Sequence, residues 1–420
     1  MSEVAQAPHS SPDGHSPQLR FPEFSGNWEE VPFYDCLNDI LDFRGRTPLK
    51  IGMDWGGGNI ISLSANNVKN GYIDFNAECH LGSGELYEKW MGKVKLVKND
   101  IVFTMEAPLG KALLVPDDKR YILSQRVVAF KTKDYIDNLY FIQLIWSNKF
   151  QNTVDRLSTG STAKGINQKS LKKVFVNIPL KPEQQKIAAF LTAVDNKIEQ
   201  LSTKQVLLGE YKKGLMQQIF SQAIRFKADD GCDFPDWEEK SLGELFNYKN
   251  GGSFENEVVK DGLYNLITLN SITIDGELKN EHKKINSFDN SLKINDLIMV
   301  LSDVAHGNFL GLTAIIPEDN SYVLNQRMGA LKSKGLNNVV FLRLLINYNQ
   351  KYFKLHGQGS SQQNLSKGDI LKFELLLPNR NEQQKIANFL SSIDTKIEQV
   401  GKQLDESKQF KKALLQQMFV

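Results

Sequence analysis

EQQKIAAFLTAVDNKIEQ, at Glu183–Gln200, returns as EQQKIANFLSSIDTKIEQ at Glu382–Gln399, and this return decides the fold. Further along, YKKGLMQQIF (211–220) matches FKKALLQQMF (410–419) at the same spacing, so one block, Glu183–Phe220, is repeated without a gap as Glu382–Phe419. Neither block contains a proline after its start. Stepping by four and three from Ile187 meets Leu191, Val194, Ile198, Leu201, Gln205, Leu208, Lys212, Leu215 and Ile219. From Ile386 the same walk meets Leu390, Ile393, Ile397, Val400, Leu404, Ser407, Lys411, Leu414 and Met418. Apolar residues held at this period predict two coiled-coil helices of ~57 Å each. Pro182 marks the start of the first, and Asn381 is the expected N-cap of the second.

The repeat continues upstream with a drifting offset. LSQR (Leu123–Arg126) pairs with LNQR (Leu324–Arg327), NDIV (Asn99–Val102) with NDLI (Asn295–Ile298), and NIISLS (59–64) with NLITLN (265–270). Trp28-Glu29-Glu30 returns as Trp237-Glu238-Glu239, and Leu19-Arg20-Phe21 as Ile224-Arg225-Phe226. A repeat this long is an internal duplication and not a solenoid unit. The diverged parts carry short apolar runs, among them DIVFTM, KALLV, RVVAF and DLIMVL, bounded by turn residues. That pattern predicts strands, with a helical stretch late in each part, Asn138–Gln151 and Asn338–Tyr352. The expected class is α+β: two mixed, mainly β domains separated by a long antiparallel two-helix coiled coil, with a pseudo-two-fold internal repeat. The boundaries follow as a tail at 1–18, a first head at 19–181, helix one at 182–220, a second head at 221–380 and helix two at 381–420.

Bulk composition narrows the class. Of 420 residues, 41% are hydrophobic and 24% charged, which suits a globular chain. No apolar run approaches the length of a membrane span, and the Ser- and Pro-rich start, read as disordered, has no signal-peptide pattern. Cys36, Cys79 and Cys232 form no CxxC pair and read as reduced thiols of a cytoplasmic protein. The net charge of +2 singles out no partner, but its distribution does. Arg156, Lys164, Lys169, Lys172, Lys173 and Lys181 fall in a stretch without acids, and Lys89, Lys93, Lys95 and Lys98 in another. Lys351, Lys354, His356, Lys367 and Lys372 recur at the matching place in the second half against Asp369 alone. Basic groups among hydroxyls and amides suit phosphate and base-edge contacts. Two diverged heads on a stiff rod, a dumbbell, would suit double-stranded DNA with two different half-sites at a fixed gap.

The ordered set WEE…LGEL (Trp237–Leu245), NDIVFTM, LSQR, and GST followed by IPLKPEQQKIAAFL (178–191) resembles the specificity (S) subunit of type I restriction–modification systems, from about Leu19 to the end. The resemblance implies two target-recognition domains, each reading half of a bipartite site, and helices that set the spacer and dock two methyltransferase (M) subunits. Restriction (R) subunits would join through M. It also implies no catalysis by this chain, with S-adenosylmethionine, ATP and Mg used by the partner subunits for adenine methylation or cleavage. VPFYDCL in the first head departs from KSLGEL, the more usual form.

Catalytic motifs are missing. There is no Pro-Pro pair for an adenine methyltransferase motif and no P-loop, and Gly56–Gly58 precedes a strand and reads as a turn. Expected DNA contacts are Arg44, Arg46, Asn66, Asn67, Lys69, Ser161, Thr162 and Lys164 in the first head. In the second they are Lys249, Asn270, His306, Asn308, Ser360, Ser361 and Gln362. Arg126 and Arg327 recur in both heads and read as structural. Expected M-subunit contacts are Glu183, Gln184 and Lys186, with Glu382, Gln383 and Lys385, on outward helix faces. Two alternatives stay open: a self-sufficient DNA nuclease or methyltransferase, and a coiled-coil scaffold whose heads bind protein.

Overall fold

A computed structural model describes residues 16–161, 163–290, 292–304 and 308–420. The tail expected at 1–18 therefore lies almost wholly outside the described residues. Contacts divide the chain into two compact units, Met1–Thr203 with Gly401–Val420, and Lys204–Val400. The cuts fall inside the long helices, so each unit owns one head and a segment of both helices.

In the first unit, β1 (Glu29–Pro32), β2 (Leu37–Asp42), β3 (Ile60–Leu63) and β4 (Leu81–Gly82) precede α1 (Gly84–Met91). Then come β5 (Ile101–Thr104), β6 (Ala112–Leu114), β7 (Tyr121–Leu123), β8 (Val127–Thr132), α2 (Asn138–Trp146), α3 (Asn148–Arg156), α4 (Gln168–Leu171) and β9 (Phe175–Ile178), ahead of α5 (Lys181–Phe220). The strands form an antiparallel sheet β2-β8-β5-β6, a sheet β4-β3-β7 whose β3–β7 pair is parallel, and a β1–β9 ladder. The four-stranded sheet is covered on both faces. Phe33, Phe103, Phe130, Phe141 and Phe150 fill one side, and Leu63, Trp90, Val102, Leu113 and Leu123 the other.

The second unit repeats this plan with β10 (Glu238–Ser241), α6 (Leu242–Leu245), β11 (Phe246–Asn250), β12 (Tyr264–Ile267), β13 (Lys283–Ile285), β14 (Leu297–Val300), β15 (Ser302–Val304), β16 (Thr313–Ile315), β17 (Tyr322–Leu324) and β18 (Met328–Ser333). It continues with α7 (Val339–Tyr348), α8 (Gln350–His356), β19 (Gln362–Asn364), α9 (Lys367–Leu371), β20 (Glu374–Leu377) and α10 (Arg380–Gln417). Its sheets are β11-β18-β14-β16, β13-β12-β17 with β12–β17 parallel, β10-β20 and β15-β19. The α+β class and the duplication read from the sequence hold.

Three local expectations change. The late helical stretches each break in two, at Ser147, whose hydroxyl caps α3, and at Asn349. The N-cap of α10 is Asn379, not Asn381: its side-chain oxygen accepts from the Glu382 amide at 3.0 Å. The repeat between β3 and β12 also slides by two residues. Ile61 pairs with Tyr121 as Asn265 pairs with Tyr322, which sets Asn66 against Asn270. A two-residue slip keeps every side chain on its own face, so the letter match alone could not detect it. Where VPFYDCL replaces KSLGEL, a 3-10 turn (Phe33–Cys36) stands in for α6 and its Ser241–Glu244 capping box.

Within each unit the helix segments run antiparallel. In the first, Ile187 and Leu191 share a core with Leu414 and Met418, and Asp195 meets Lys411 at 2.5 Å. In the second, Ile219 shares a core with Ile386 and Leu390, and Lys212 meets Asp394 at 2.5 Å. All the heptad residues are buried or half-buried. The two seam lysines lay their stems along apolar neighbours and carry their ammonium groups to these aspartates.

Candidate nucleic-acid interface

Strand direction alone assembles a rim on each head. Because β3 and β7 are parallel, the loops leaving them emerge on the same side. β8 begins just after the β7 loop and runs antiparallel to β2 and β5, so the loops leaving β2 and β5 arrive there too. A tight hairpin, Thr159–Gly165, joins this rim through the Glu106–Gly165 bridge. Gly160 turns it with φ +101°, and a Cβ there would sit 2.4 Å from the Ala163 carbonyl oxygen. The second unit repeats the arrangement with the loops after β11, β12, β14 and β17 and the hairpin Gln358–Asn364. That hairpin turns at Gly359, φ +116°.

On the first rim, Asn66, Lys69, Gln125 and Arg126 line a cleft of about 490 Å³, and Arg46, Trp55 and Gln125 line a neighbouring one of about 310 Å³. His80 touches both and stacks on Trp55 at 4.9 Å and 11°. Gln125 donates to the Arg46 carbonyl at 2.8 Å, which links the two loops. The Asn66 amide donates to the Glu78 carbonyl at 2.6 Å, and Lys69 to the Asn66 carbonyl at 2.8 Å. Arg46 is exposed, with its guanidinium over the Phe43 ring. Ser161 is exposed on the hairpin.

Several expected contacts prove less free. Asn67 is fully buried: its amide donates to the Ser62 carbonyl and its oxygen accepts from the Ser64 amide, so it builds the turn that presents Asn66. Arg44 forks onto Asp42, at 2.9 and 2.5 Å. Burial pushes that carboxyl up, but bonds from the Arg44 side chain and backbone and from Gln168 outweigh it and hold Asp42 below the usual carboxylate range. Lys164 is held by Asp155 at 2.6 Å, an acid one position outside the stretch read as acid-free. Thr162 and His306 lie outside the described residues.

In the second unit, Asn270, Asn308, Ser360 and Ser361 are exposed on the corresponding loops. Gln362 is half-buried in β19 and donates to the Ser302 hydroxyl at 2.5 Å. Lys249 lies in β11, opposite Ala330, with Asp289 at 3.8 Å. Gln125 and its repeat Gln326 are exposed on the turns after β7 and β17, where the Gln-Arg pair of LSQR and LNQR recurs.

The candidate M-subunit residues are corrected most sharply. Glu183, Gln184, Glu382 and Gln383 are buried and do not lie on outward faces. Arg20 forks onto Glu183 with two bonds of 2.7 Å, and the Trp28 indole donates to the same carboxylate at 3.2 Å. In the second unit Arg225 and Trp237 bind Glu382 in the same way, at 2.8 and 3.1 Å. Gln184 donates to the Pro179 and Tyr135 carbonyls and accepts from the Asp137 amide. Gln383 donates to the Pro378 carbonyl and the Asn337 side chain and accepts from the Asn338 amide. Lys186 lies over Phe21 with Glu23 at 3.3 Å, and Lys385 meets Asp229 at 2.6 Å. The first turn of each helix is thus a lock on its own unit, because a buried carboxylate or amide must find internal partners.

Among the described residues no group of His, Cys, Asp or Glu is placed to hold a metal, and no helix is long and apolar enough to cross a membrane.

Comparison with known proteins agrees with the duplication. The family model described as type I restriction modification DNA specificity domain matches twice, over residues 27–208 and 235–406. The type I restriction enzyme MjaVIII specificity subunit of Methanocaldococcus jannaschii is 26% identical, over 94% of this chain and 92% of its own length. The putative MjaX specificity subunit of the same organism is 24% identical over 94% and 93%. Among solved structures, the type I restriction–modification S subunit from M. genitalium superposes with a TM-score of 0.57 at 18% identity, covering 96% of this chain and 99% of its own. With the family model covering most of both halves, this chain belongs to the type I restriction–modification DNA specificity family, as a specificity subunit.

Proposed function

We propose that this chain selects the DNA site for a type I restriction–modification complex, each head reading one half of a bipartite, asymmetric sequence. The observation that carries this reading is the repeated rim: one strand plan delivers four loops and a hairpin to the same place in each unit, and alongside shared positions such as Asn66 and Asn270 the loops diverge, Arg46 standing against Phe254 and Lys69 against Thr273. A fixed frame with variable loops is what reading two different half-sites requires. Arg46, Asn66, Lys69 and Ser161 are the candidate contacts in the first head, and Asn270, Asn308, Ser360 and Ser361 in the second.

The long helices are proposed to set the gap between half-sites and to dock two methyltransferase subunits, with restriction subunits joining through these. S-adenosylmethionine, ATP and Mg belong to those partners in this reading, and the assembly works in the cytoplasm. Since the locks are buried, docking falls to the exposed helix faces, where Tyr211 and Phe410 recur as exposed aromatics at matching positions.

The test is adenine-methylation mapping of genomic DNA from cells expressing this chain with its methyltransferase partner. A split motif, methylated on opposite strands in its two halves and lost when this chain is omitted, is the expected result. A formed complex that adds no motif overturns the reading in favour of a scaffold. Modification of DNA by the chain alone favours an enzyme.

A further inference from the structure

Arg126 and Arg327 occupy the same turn in the two heads, and both adopt the left-handed conformation, with φ +71° and +69°. Their carbonyls do identical work, accepting from the Met105 amide at 2.7 Å and the Leu301 amide at 2.9 Å. For the backbone alone, arginine is a poor choice, because a Cβ disfavours this conformation and glycine or asparagine meets it more easily. The chain makes the easier choice elsewhere. Another recurrent left-handed pair, Asn99 and Asn295, begins NDIV and NDLI with asparagine in both copies. Arginine at the rim turn is therefore retained for its side chain.

Both guanidinium groups are exposed on their rims. Arg126 borders the cleft with Asn66 and Lys69, and its ion-pair partner, Glu106 at 3.4 Å, is half exposed. A pair so open to water holds weakly and exchanges readily for a phosphate. Arg327 makes no ion pair among the described residues, although Glu255 lies within its electrostatic reach. The neighbouring loops diverge: Arg46 and Lys69 in the first unit, Phe254 and Thr273 in the second. A residue shared by two heads that read different bases makes a contact independent of sequence, and on a duplex that contact is the phosphate backbone.

We propose that Arg126 and Arg327 are phosphate anchors, one per head, that seat each rim on the DNA backbone while the divergent loops around them read bases. The inference rests on the DNA reading above and replaces the purely structural role expected for these two residues from their recurrence.

Glycine provides the test, because it suits the backbone and deletes the side chain. Arg126→Gly and Arg327→Gly would be made in the full chain, purified with its methyltransferase partner, and titrated with a labelled random-sequence duplex at several salt concentrations. The expected result is about tenfold weaker binding per arginine. The slope of log affinity against log salt should fall by ~1 per arginine. The melting temperature should be unchanged or raised, and the mapped methylation motif should keep the same bases in both halves. Unchanged affinity and slope overturn the proposal, and so does an altered base preference in one half, which would make the arginine a reader. Arg126→Gln and Arg327→Gln, which keep the backbone close to its original preference, carry the same expectations should a glycine variant lose stability. A wild-type complex without salt-dependent duplex binding would instead defeat the DNA reading itself, before any variant is compared.

Discussion

The helix locks and the rims make opposite use of the same duplication. Arg20, Trp28 and Glu183 in one unit and Arg225, Trp237 and Glu382 in the other are the same residues in the same bonds, and both carboxylates are buried. The rims share a strand plan yet their loops diverge at positions such as Arg46 against Phe254 and Lys69 against Thr273. Literal repetition therefore marks a constraint common to both units, internal in the locks and a shared surface contact at Arg126 and Arg327, while divergence marks the loops around them. A buried carboxylate that must satisfy a guanidinium and an indole tolerates few replacements, while an exposed loop tolerates many.

Breaking the lock gives the largest expected effect. Glu183→Ala leaves Arg20 without its partner inside the unit and should cost about 3 kcal/mol in urea unfolding, with Glu382→Ala costing a similar amount. Unequal losses would show that the two locks are not equivalent. Gln184→Ala and Gln383→Ala each strand buried backbone groups and should cost about 2 kcal/mol, measured the same way.

The seam lysines sharpen the comparison where the units differ. Lys411 meets Asp195 and also lies 4.5 Å from the Trp146 ring centre, whereas Lys212 meets Asp394 without a described aromatic partner. Lys411→Met should cost about 1 kcal/mol more than Lys212→Met, and equal melting shifts would remove the aromatic contribution. Rim variants are at the small end for stability. Arg46→Ala and Asn308→Ala should stay within about 0.5 kcal/mol of wild type. Methylation mapping should find each relaxing one half of the motif and not the other.

Much of the frame was legible. The duplication, the seam and the strands from DIVFTM, KALLV, RVVAF and DLIMVL needed only periodicity and turn residues, because burial on one face imprints a period on the sequence. The two-residue slip of β3 against β12 was hidden because letters can match at either register while the parallel partner strand sets the true one. The buried lock was misread for a related reason. Glu, Gln and Lys in a first helical turn read as an outward polar face, and nothing local announces that Arg20 and Trp28 arrive from far upstream to bury the carboxylate. The rim was visible only in fragments, since Asn66, Gln125 and Arg46 converge through a parallel strand pair that sequence spacing does not encode.

The first unit also has an order of assembly written into it. The Leu19 amide donates to the Gln417 carbonyl, the Asn177 amide to the Val420 carbonyl, and Leu414, Met418 and Phe419 complete the core around Ile187 and Leu191. The second unit, by contrast, is one unbroken stretch of chain. A ribosome making this protein releases the first head early yet withholds its closing helix segment until residues 401–420 emerge. The usual N-to-C order of domain folding is thereby inverted. A chain stalled short of Gly401 lacks the cover that Leu414, Met418 and Phe419 supply, and presents the apolar stripe of Ile187 and Leu191 to the cell's chaperones.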